Sequence, residues 1–312
     1  MKKYRIGIVG ATGAVGQEII HLLEKREFPV AEARLLASSR SAGREIQACG
    51  NLEVVKETNA DSFKNLDIAI FSAGSQNTVT YTKAARQSDC VVIDNSSAFR
   101  MDKDVPLVIP EINGDALESH KGIIANPNCS TAVALMGLYP LHKRFGLKRF
   151  FASTYQAVSG AGAEGVTELE NQVKNQISNE PSPTDPSAET IFQHPIAFNL
   201  IPHIDDFRED GYTKEELKMR NETRKILNIP SIQVSCTCVR VPVLRAHSIS
   251  INAEFDSPVN VPDARTALEN FEGVELWDLP NALRYPMPIN YSEKELCGIG
   301  RIRLDHGFTN GL

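Results

Sequence analysis

The chain has 312 residues, 42% hydrophobic and 23% charged, which is enough for two soluble domains with full cores. Its formal net charge of −6 argues against general nucleic-acid binding, which favours basic surfaces. No apolar run approaches a membrane span, so a membrane partner is not expected and a small-molecule partner is.

Met1-Lys2-Lys3 leads directly into the first apolar run, leaving no room for a signal peptide. Six cysteines, at 49, 90, 129, 236, 238 and 297, are scattered and suggest no disulfide framework. Cys236 and Cys238 lie on one face of a β-rich run with no second pair nearby, so no metal site is expected. A reducing, cytoplasmic location fits this usage.

Tyr4 to Val9 reads as a short buried strand. It enters the turn Gly10-Ala11-Thr12-Gly13-Ala14-Val15-Gly16 and then a helix from Gln17 to Leu23. Gly10, Gly13 and Gly16 allow a tight turn, close approach of a pyrophosphate and close helix–strand packing. The GxxGxxG spacing departs from the commoner GxGxxG, and such turns also serve packing alone. The strand–turn–helix context favours dinucleotide binding, with Thr12, Ala14 and Val15 among the contacts.

The next strand, Ala33 to Ala37, ends in Ser38-Ser39-Arg40. An NAD-preferring site carries an acidic residue there, bonded to the ribose hydroxyls. Hydroxyls and a guanidinium suit a 2′-phosphate instead, with Arg40 able to grip it, so NADP is the expected cofactor. A solvated turn is the alternative.

Asp67 to Phe71 reads as a strand ending in Ser72-Ala73-Gly74-Ser75. A helical stretch to Gln87 and the strand Cys90 to Ile93 follow. Val105 to Ile109 and Gly122 to Ala125 read as further strands. This alternation predicts an α/β, Rossmann-like, doubly wound parallel sheet over residues 1–128. Ligands then lie beyond the carboxyl ends of the strands, where Gly10, Ser38, Gly74 and Asn95 fall, and Ser72 with them.

Asn126-Pro127-Asn128-Cys129-Ser130-Thr131 precedes a helical run beginning Ala132-Val133-Ala134-Leu135-Met136. A thiol at a helix start feels the positive end of the backbone dipole, which favours the thiolate. The unpaired N–H groups there are also placed to hold a developing oxyanion. A buried structural cysteine is the alternative.

Residues 129–312 change character. Phe150 to Val158, Ile232 to Val243, His247 to Phe255 and Leu296 to Leu304 read as strands. A helix is expected from Glu164 to Ile177, then a Pro-rich loop from Glu180 to Pro186. A second helix runs from Thr213 to Leu227, with Thr213 and Glu216 forming a capping box. These predict an α+β domain on a mostly antiparallel sheet.

Several stretches together resemble the bacterial, NADP-dependent aspartate-β-semialdehyde dehydrogenases. They are Gly10–Gly16, Asp94–Met101, Asn126–Thr131, Thr154–Gly162, Glu215–Lys218 and Val239–Ser248, in the family's order. The resemblance implies that 4-phospho-L-aspartate is reduced to L-aspartate 4-semialdehyde, in lysine, diaminopimelate, methionine and threonine biosynthesis. Cys129 then resembles the acyl-thioester nucleophile, His247 the acid/base and Gln156 the residue orienting the substrate carbonyl. Histidine suits proton transfer because its free pKa lies near neutrality. Arg240 resembles the substrate's carboxylate partner, Glu215 its ammonium partner, and Lys218 with Arg100 the phosphate site, with Asn128 also at the substrate.

Ser159 and Gly160 resemble contacts to the nicotinamide. The resemblance further implies a homodimer or homotetramer, with the second domain both catalytic and dimerising.

On spacing alone Glu222 and Lys225 match Glu215 and Lys218, and either pair reads equally well as a surface ion pair. N-acetyl-glutamyl-phosphate reductases, malonyl-CoA reductases and a truncated non-catalytic relative are the rivals. An acidic partner for an ammonium argues against the two reductases. Two departures stand out. Ile249 occupies a position where relatives often carry Glu or Gln. The resemblance implies a closing segment beyond Arg303 that returns to the dinucleotide domain, and this chain, ending at Leu312, is read as lacking it.

Overall fold

A computed structural model describes residues 2–178 and 190–312, so the expected Pro-rich loop from Glu180 to Pro186 lies outside the described residues. The chain divides into two compact units, Met1–Pro127 and Asn128–Leu312.

In the first unit the elements are β1 (Tyr4–Val9), α1 (Ala14–Lys25), β2 (Val30–Ala37), β3 (Glu45–Ala48), β4 (Asn51–Val54), β5 (Lys56–Glu57), β6 (Ile68–Phe71), α2 (Ser75–Gln87), β7 (Val91–Asp94), α3 (Pro110–Asn113) and β8 (Ile123–Ala125). Six strands form one sheet in the order β5-β2-β1-β6-β7-β8, with every pairing parallel. Ile6, Ile8, Val9, Leu35, Leu36 and Phe71 are buried in it, as expected for strands covered on both faces. Strand order reverses between β1 and β6, and the glycine-rich turn leaves β1 at that point. The carboxyl ends of such neighbours form the crevice that binds ligands in open α/β sheets.

Two sequence expectations need amendment here. Val105 to Ile109 is not a strand, and only Leu107 bridges Ala125. Pro106 has no N–H to donate, and Pro110 starts the short α3, so the run is stopped from both sides. The β3–β4 hairpin went unread. Its turn is Cys49-Gly50, with φ of 51° and 85°, the positive pair that a two-residue hairpin requires.

The second unit contains α4 (Cys129–Phe145), β9 (Leu147–Gln156), α5 (Gly162–Ile177), α6 (Lys214–Leu227), β10 (Gln233–Arg240), β11 (Ser248–Phe255), α7 (Val261–Glu269), β12 (Val274–Leu276), α8 (Pro288–Tyr291) and β13 (Cys297–Ile299). β9 is the central strand of the order β10-β9-β11, antiparallel to β11 and parallel to β10. Antiparallel bridges join Ile201 to Arg240 and Glu254 to Gly311. Burial alternates along β9. Phe150 and Ala152 face a core with Leu138, Phe145, Met219 and Phe255, so α4 and α6 cover that face. The expected strand from Leu296 to Leu304 is only Cys297–Ile299, paired in parallel with β12. Arg301 then turns to φ 60° and gives its N–H to Asp278 Oδ1 at 2.7 Å, which ends the ladder.

Among the described residues no helix is long and apolar enough to cross a membrane.

Packing at the glycine turn is unforgiving. A Cβ on Gly16 would lie 2.2 Å from the Gly10 carbonyl oxygen, which is backbone and cannot swing away. Gly16→Ala is expected to lower the unfolding free energy by about 1–3 kcal/mol. Gly114 has helical φ and ψ and open space around it, so Gly114→Ala serves as the neutral control. Urea midpoints measure both; equal midpoints would show that the turn yields at little cost.

Candidate active site

Asn128 caps α4 and places Cys129 at its first position. The Asn128 side-chain oxygen accepts the N–H groups of Ser130 and Thr131 at 3.0 and 3.2 Å. These donors were expected to be open for an oxyanion, and the cap occupies them instead. Asn128 is held in turn from α6. Its Nδ2 donates to Glu215 Oε1 at 2.8 Å, and its backbone N–H to Glu222 Oε2 at 2.6 Å.

Glu215 is the hub of this cluster. It is only 6% exposed. Its Oε1 also accepts Gln156 Nε2 at 3.2 Å, and its Oε2 accepts Lys218 Nζ at 3.1 Å. Burial raises its pKa, but Lys218, Asn128 and Gln156 outweigh that and hold it below the usual carboxylate range. Lys218 has a second carboxylate partner, Asp205, at 2.7 Å. Burial opposes its charge, yet Glu215 and Asp205 raise its pKa overall. Asp205 was not singled out from the sequence, since nothing local links it to Lys218.

The expected capping box forms. Glu216 Oε2 takes the Thr213 N–H at 2.7 Å, while Oε1 takes the Cys238 N–H at 3.0 Å. Adjacent glutamates on α6 thus divide their work, with Glu216 fastening the helix to β10 and Glu215 meeting the site residues.

Cys129 is exposed, whereas Cys90, Cys236 and Cys238 are buried. Its pKa lies above the ordinary thiol value. Desolvation by its surroundings and the Glu215 carboxylate push it up, while Ser130 and Arg240 pull it down. Because the residue is open to water, desolvation is partial, and the Glu215 charge is the cause that persists. The helix dipole therefore does not by itself set a low thiol pKa, as its position at a helix start suggested.

Gln156 and Arg240 end two parallel strands and stand opposite each other in the register. Both are almost wholly buried. Thr154 Oγ1 donates to Gln156 Oε1 at 2.9 Å, which fixes the amide so that its NH₂ faces Glu215. Arg240 Nη1 donates to the Ala157 carbonyl at 2.8 Å, and its guanidinium lies 5.9 Å from the Phe192 ring centroid.

His247 follows Ala246, which has φ 69°, a left-handed conformation costly for a residue with a Cβ. Its Nδ1 accepts the Ala157 N–H at 3.0 Å, so the neutral ring carries its proton on Nε2. Burial and the nearby Arg240 charge push its pKa down to about 4. A Cβ on Gly160 would come within 2.8 Å of Arg240 Nη1 and 3.3 Å of His247 Nε2. Gly160 is thus the gap into which both side chains fit. Ser159, beside it, donates its N–H to the Leu244 carbonyl at 3.2 Å.

The first unit carries the features of a dinucleotide cradle. Gly10 has φ 90°, and a Cβ there would be 2.9 Å from the Ser72 backbone. Ser72 Oγ donates to the Val9 carbonyl at 3.0 Å, tying the ends of β1 and β6 together. Gly13 caps α1 without a side-chain hydrogen bond, so the amides of Ala14, Val15 and Gly16 face no capping side chain. That combination suits a pyrophosphate, because it offers N–H donors where a side chain would fill the space. Gly74, at φ 81°, opens α2 likewise. Ser38, Ser39 and Arg40 are exposed at the end of β2, and among the described residues Arg40 forms no ion pair.

Asn95 Oδ1 accepts from Asn126 Nδ2. The Asn95 backbone carbonyl accepts from Arg100 Nη2 at 3.1 Å, while Arg100 Nε donates to the Asn126 carbonyl at 2.8 Å. Arg100 is buried, and these bonds secure the strand end that leads to Pro127. No group of three His, Cys, Asp or Glu among the described residues is arranged to hold a metal ion.

Residues 5–120 match the NAD binding domain of semialdehyde dehydrogenases, and residues 138–312 match their dimerisation domain. An aspartate-semialdehyde dehydrogenase of Aquifex aeolicus is 48% identical over 99% of this chain and 91% of its own. Aspartate semialdehyde dehydrogenase II of Vibrio cholerae, in a crystal structure complexed with ASA, superposes with a TM-score of 0.92. It is 39% identical, over 100% of this chain and 91% of that one. The enzyme of Candida albicans, solved with NADP, reaches a TM-score of 0.73 at 25% identity over 99% and 92%. With such identity sustained along nearly its whole length, the chain belongs to the aspartate-semialdehyde dehydrogenase family.

Proposed function

We propose that the chain reduces 4-phospho-L-aspartate to L-aspartate 4-semialdehyde through a Cys129 thioester, with NADP as cofactor. It does so in the cytoplasm, as a homodimer or homotetramer, in the supply of lysine, diaminopimelate, methionine and threonine. The observation that carries this reading is the buried Glu215 carboxylate, which ties the Cys129 helix cap to Gln156 and Lys218. The Vibrio relative's complex with ASA and the Candida relative's with NADP support the substrate and the cofactor.

In the proposed reaction the Cys129 thiol first loses its proton to solvent, to which it is open; the thiolate attacks the acyl carbon, and phosphate leaves with the electron pair of the broken C–O bond. A dinucleotide held at the Gly10–Gly16 turn would supply, as NADPH, the hydride that reduces the thioester to the aldehyde level. His247, neutral with its proton on Nε2, donates to the oxygen that becomes negative in each tetrahedral species. Gln156 Nε2 orients the same carbonyl. Arg240 receives the substrate carboxylate in a planar two-point contact, Glu215 its ammonium and Lys218 the phosphate. Collapse of the hemithioacetal returns the sulfur as thiolate and releases the aldehyde.

Cys129→Ala is expected to abolish turnover with the fold intact. Mass spectrometry of wild-type protein quenched with substrate should find the acyl group on Cys129. Full activity in the variant would remove the mechanism.

Arg40→Ala should weaken NADP far more than NAD, because only NADP brings a 2′-phosphate for the guanidinium to hold. Equal kcat/KM for the two cofactors in the wild type would count against the assignment.

The raised Cys129 pKa leaves less thiolate at neutral pH, so alkylation of Cys129 should speed up with a midpoint above about 8.5. Glu215→Gln removes the negative charge and should move that midpoint down. Peptide-resolved labelling with iodoacetamide across pH 6–11, roughly two units either side of that value, checks both; a wild-type midpoint below the ordinary thiol range would contradict the electrostatics. Since burial and the Arg240 charge hold the His247 pKa well below its ordinary value, the kcat/KM profile should show no limb near about 6.5.

A further inference from the structure

Glu222 lies two helical turns beyond Glu215 on the same face of α6 and is 1% exposed. A carboxylate this deep is costly unless it is paired. Its bond to the Asn128 N–H, at 2.6 Å, spans 94 residues of sequence. The two glutamates therefore hold one residue from two directions. Glu215 takes the side-chain amide of Asn128, and Glu222 takes its backbone.

The consequence lies in the third polar group of Asn128. With Nδ2 directed at Glu215, the side-chain oxygen must point the other way, toward Ser130 and Thr131. The amide cannot flip without losing bonds on both sides. The Asn128 backbone is fixed by Glu222 at the residue immediately before Cys129. None of these bonds uses the Cys129 thiol.

From this we infer that Glu222 is a positioning residue for the nucleophile, fixing the Cys129 backbone through Asn128. It acts through Asn128 and makes no contact with substrate in the proposed reaction. The inference rests on Cys129 being the nucleophile.

The test begins with the wild type, where acylation of Cys129 by substrate is read by mass spectrometry. Its absence would refute the nucleophile reading itself, and this inference with it. With acylation seen, Glu222→Ala should lower kcat on the order of ten- to a hundredfold, as small displacements of reacting groups do. KM for both substrates should stay within about twofold, because the substrate contacts remain. Single-turnover acylation should slow by the same factor as kcat. Glu222→Gln keeps an oxygen acceptor of the same reach and should restore most of the rate.

A purely stabilising role would lower the melting temperature of Glu222→Ala and leave kcat and acylation normal at temperatures where it is folded. That result overturns the inference. Should Glu222→Ala fail to fold, Glu222→Asp decides. One methylene shorter, it draws Asn128 away from its place, and a normal acylation rate in that variant also overturns the proposal.

Discussion

One buried carboxylate sets the terms for the second unit. Glu215 has two oxygens and three side-chain partners, Asn128, Gln156 and Lys218, which come from the start of α4, the end of β9 and α6 itself. Water cannot solvate it there, and a buried carboxylate stripped of its partners typically costs about 3–5 kcal/mol. On the proposed reading, the groups that satisfy it are the ones the reaction requires. On that reading, folding the unit also aligns the site.

The same charge governs the thiol. Cys129 sits between Glu215, which disfavours its ionisation, and Arg240, which favours it. On the proposed reading, a substrate ammonium at Glu215 offsets the unfavourable charge while its carboxylate engages Arg240. The two effects oppose each other at the sulfur, so the geometry of binding decides the thiolate fraction.

What could be read from the sequence was what is local. The glycine turn, the strands β1 and β6, the helix start at Cys129 and the Thr213–Glu216 box all depend on residues within a few positions of each other. Val105–Ile109 looked like a strand by composition, but its prolines deny it the ladder. Leu296–Leu304 looked like one by alternation, but the backbone turns at Arg301 after three paired residues. Glu222 and Asp205 were illegible for a different reason. Their partners lie far away in sequence or across a loop, and a glutamate four residues past Lys218 reads locally as a solvated charge. Spacing alone made Glu215 and Glu222 interchangeable. Only the fold separates a carboxylate that meets Gln156 and Lys218 from one that grips a backbone N–H.

The parallel pairing of β9 with β10 carries a consequence for how the molecule is made. Gln156 and Arg240 become neighbours only after the chain between them, with α5 and α6, has crossed over and returned in the same direction. Antiparallel strands joined by a tight turn meet early, whereas a parallel pair must close a long loop before any contact rewards it. β10 must close that long loop to reach β9, and it brings Arg240. Until it docks, β9 has an unpaired edge on that side, and Glu216 of α6 lacks the Cys238 N–H that it holds in the fold. In that interval the open strand edge is the part most exposed to pairing with the wrong chain.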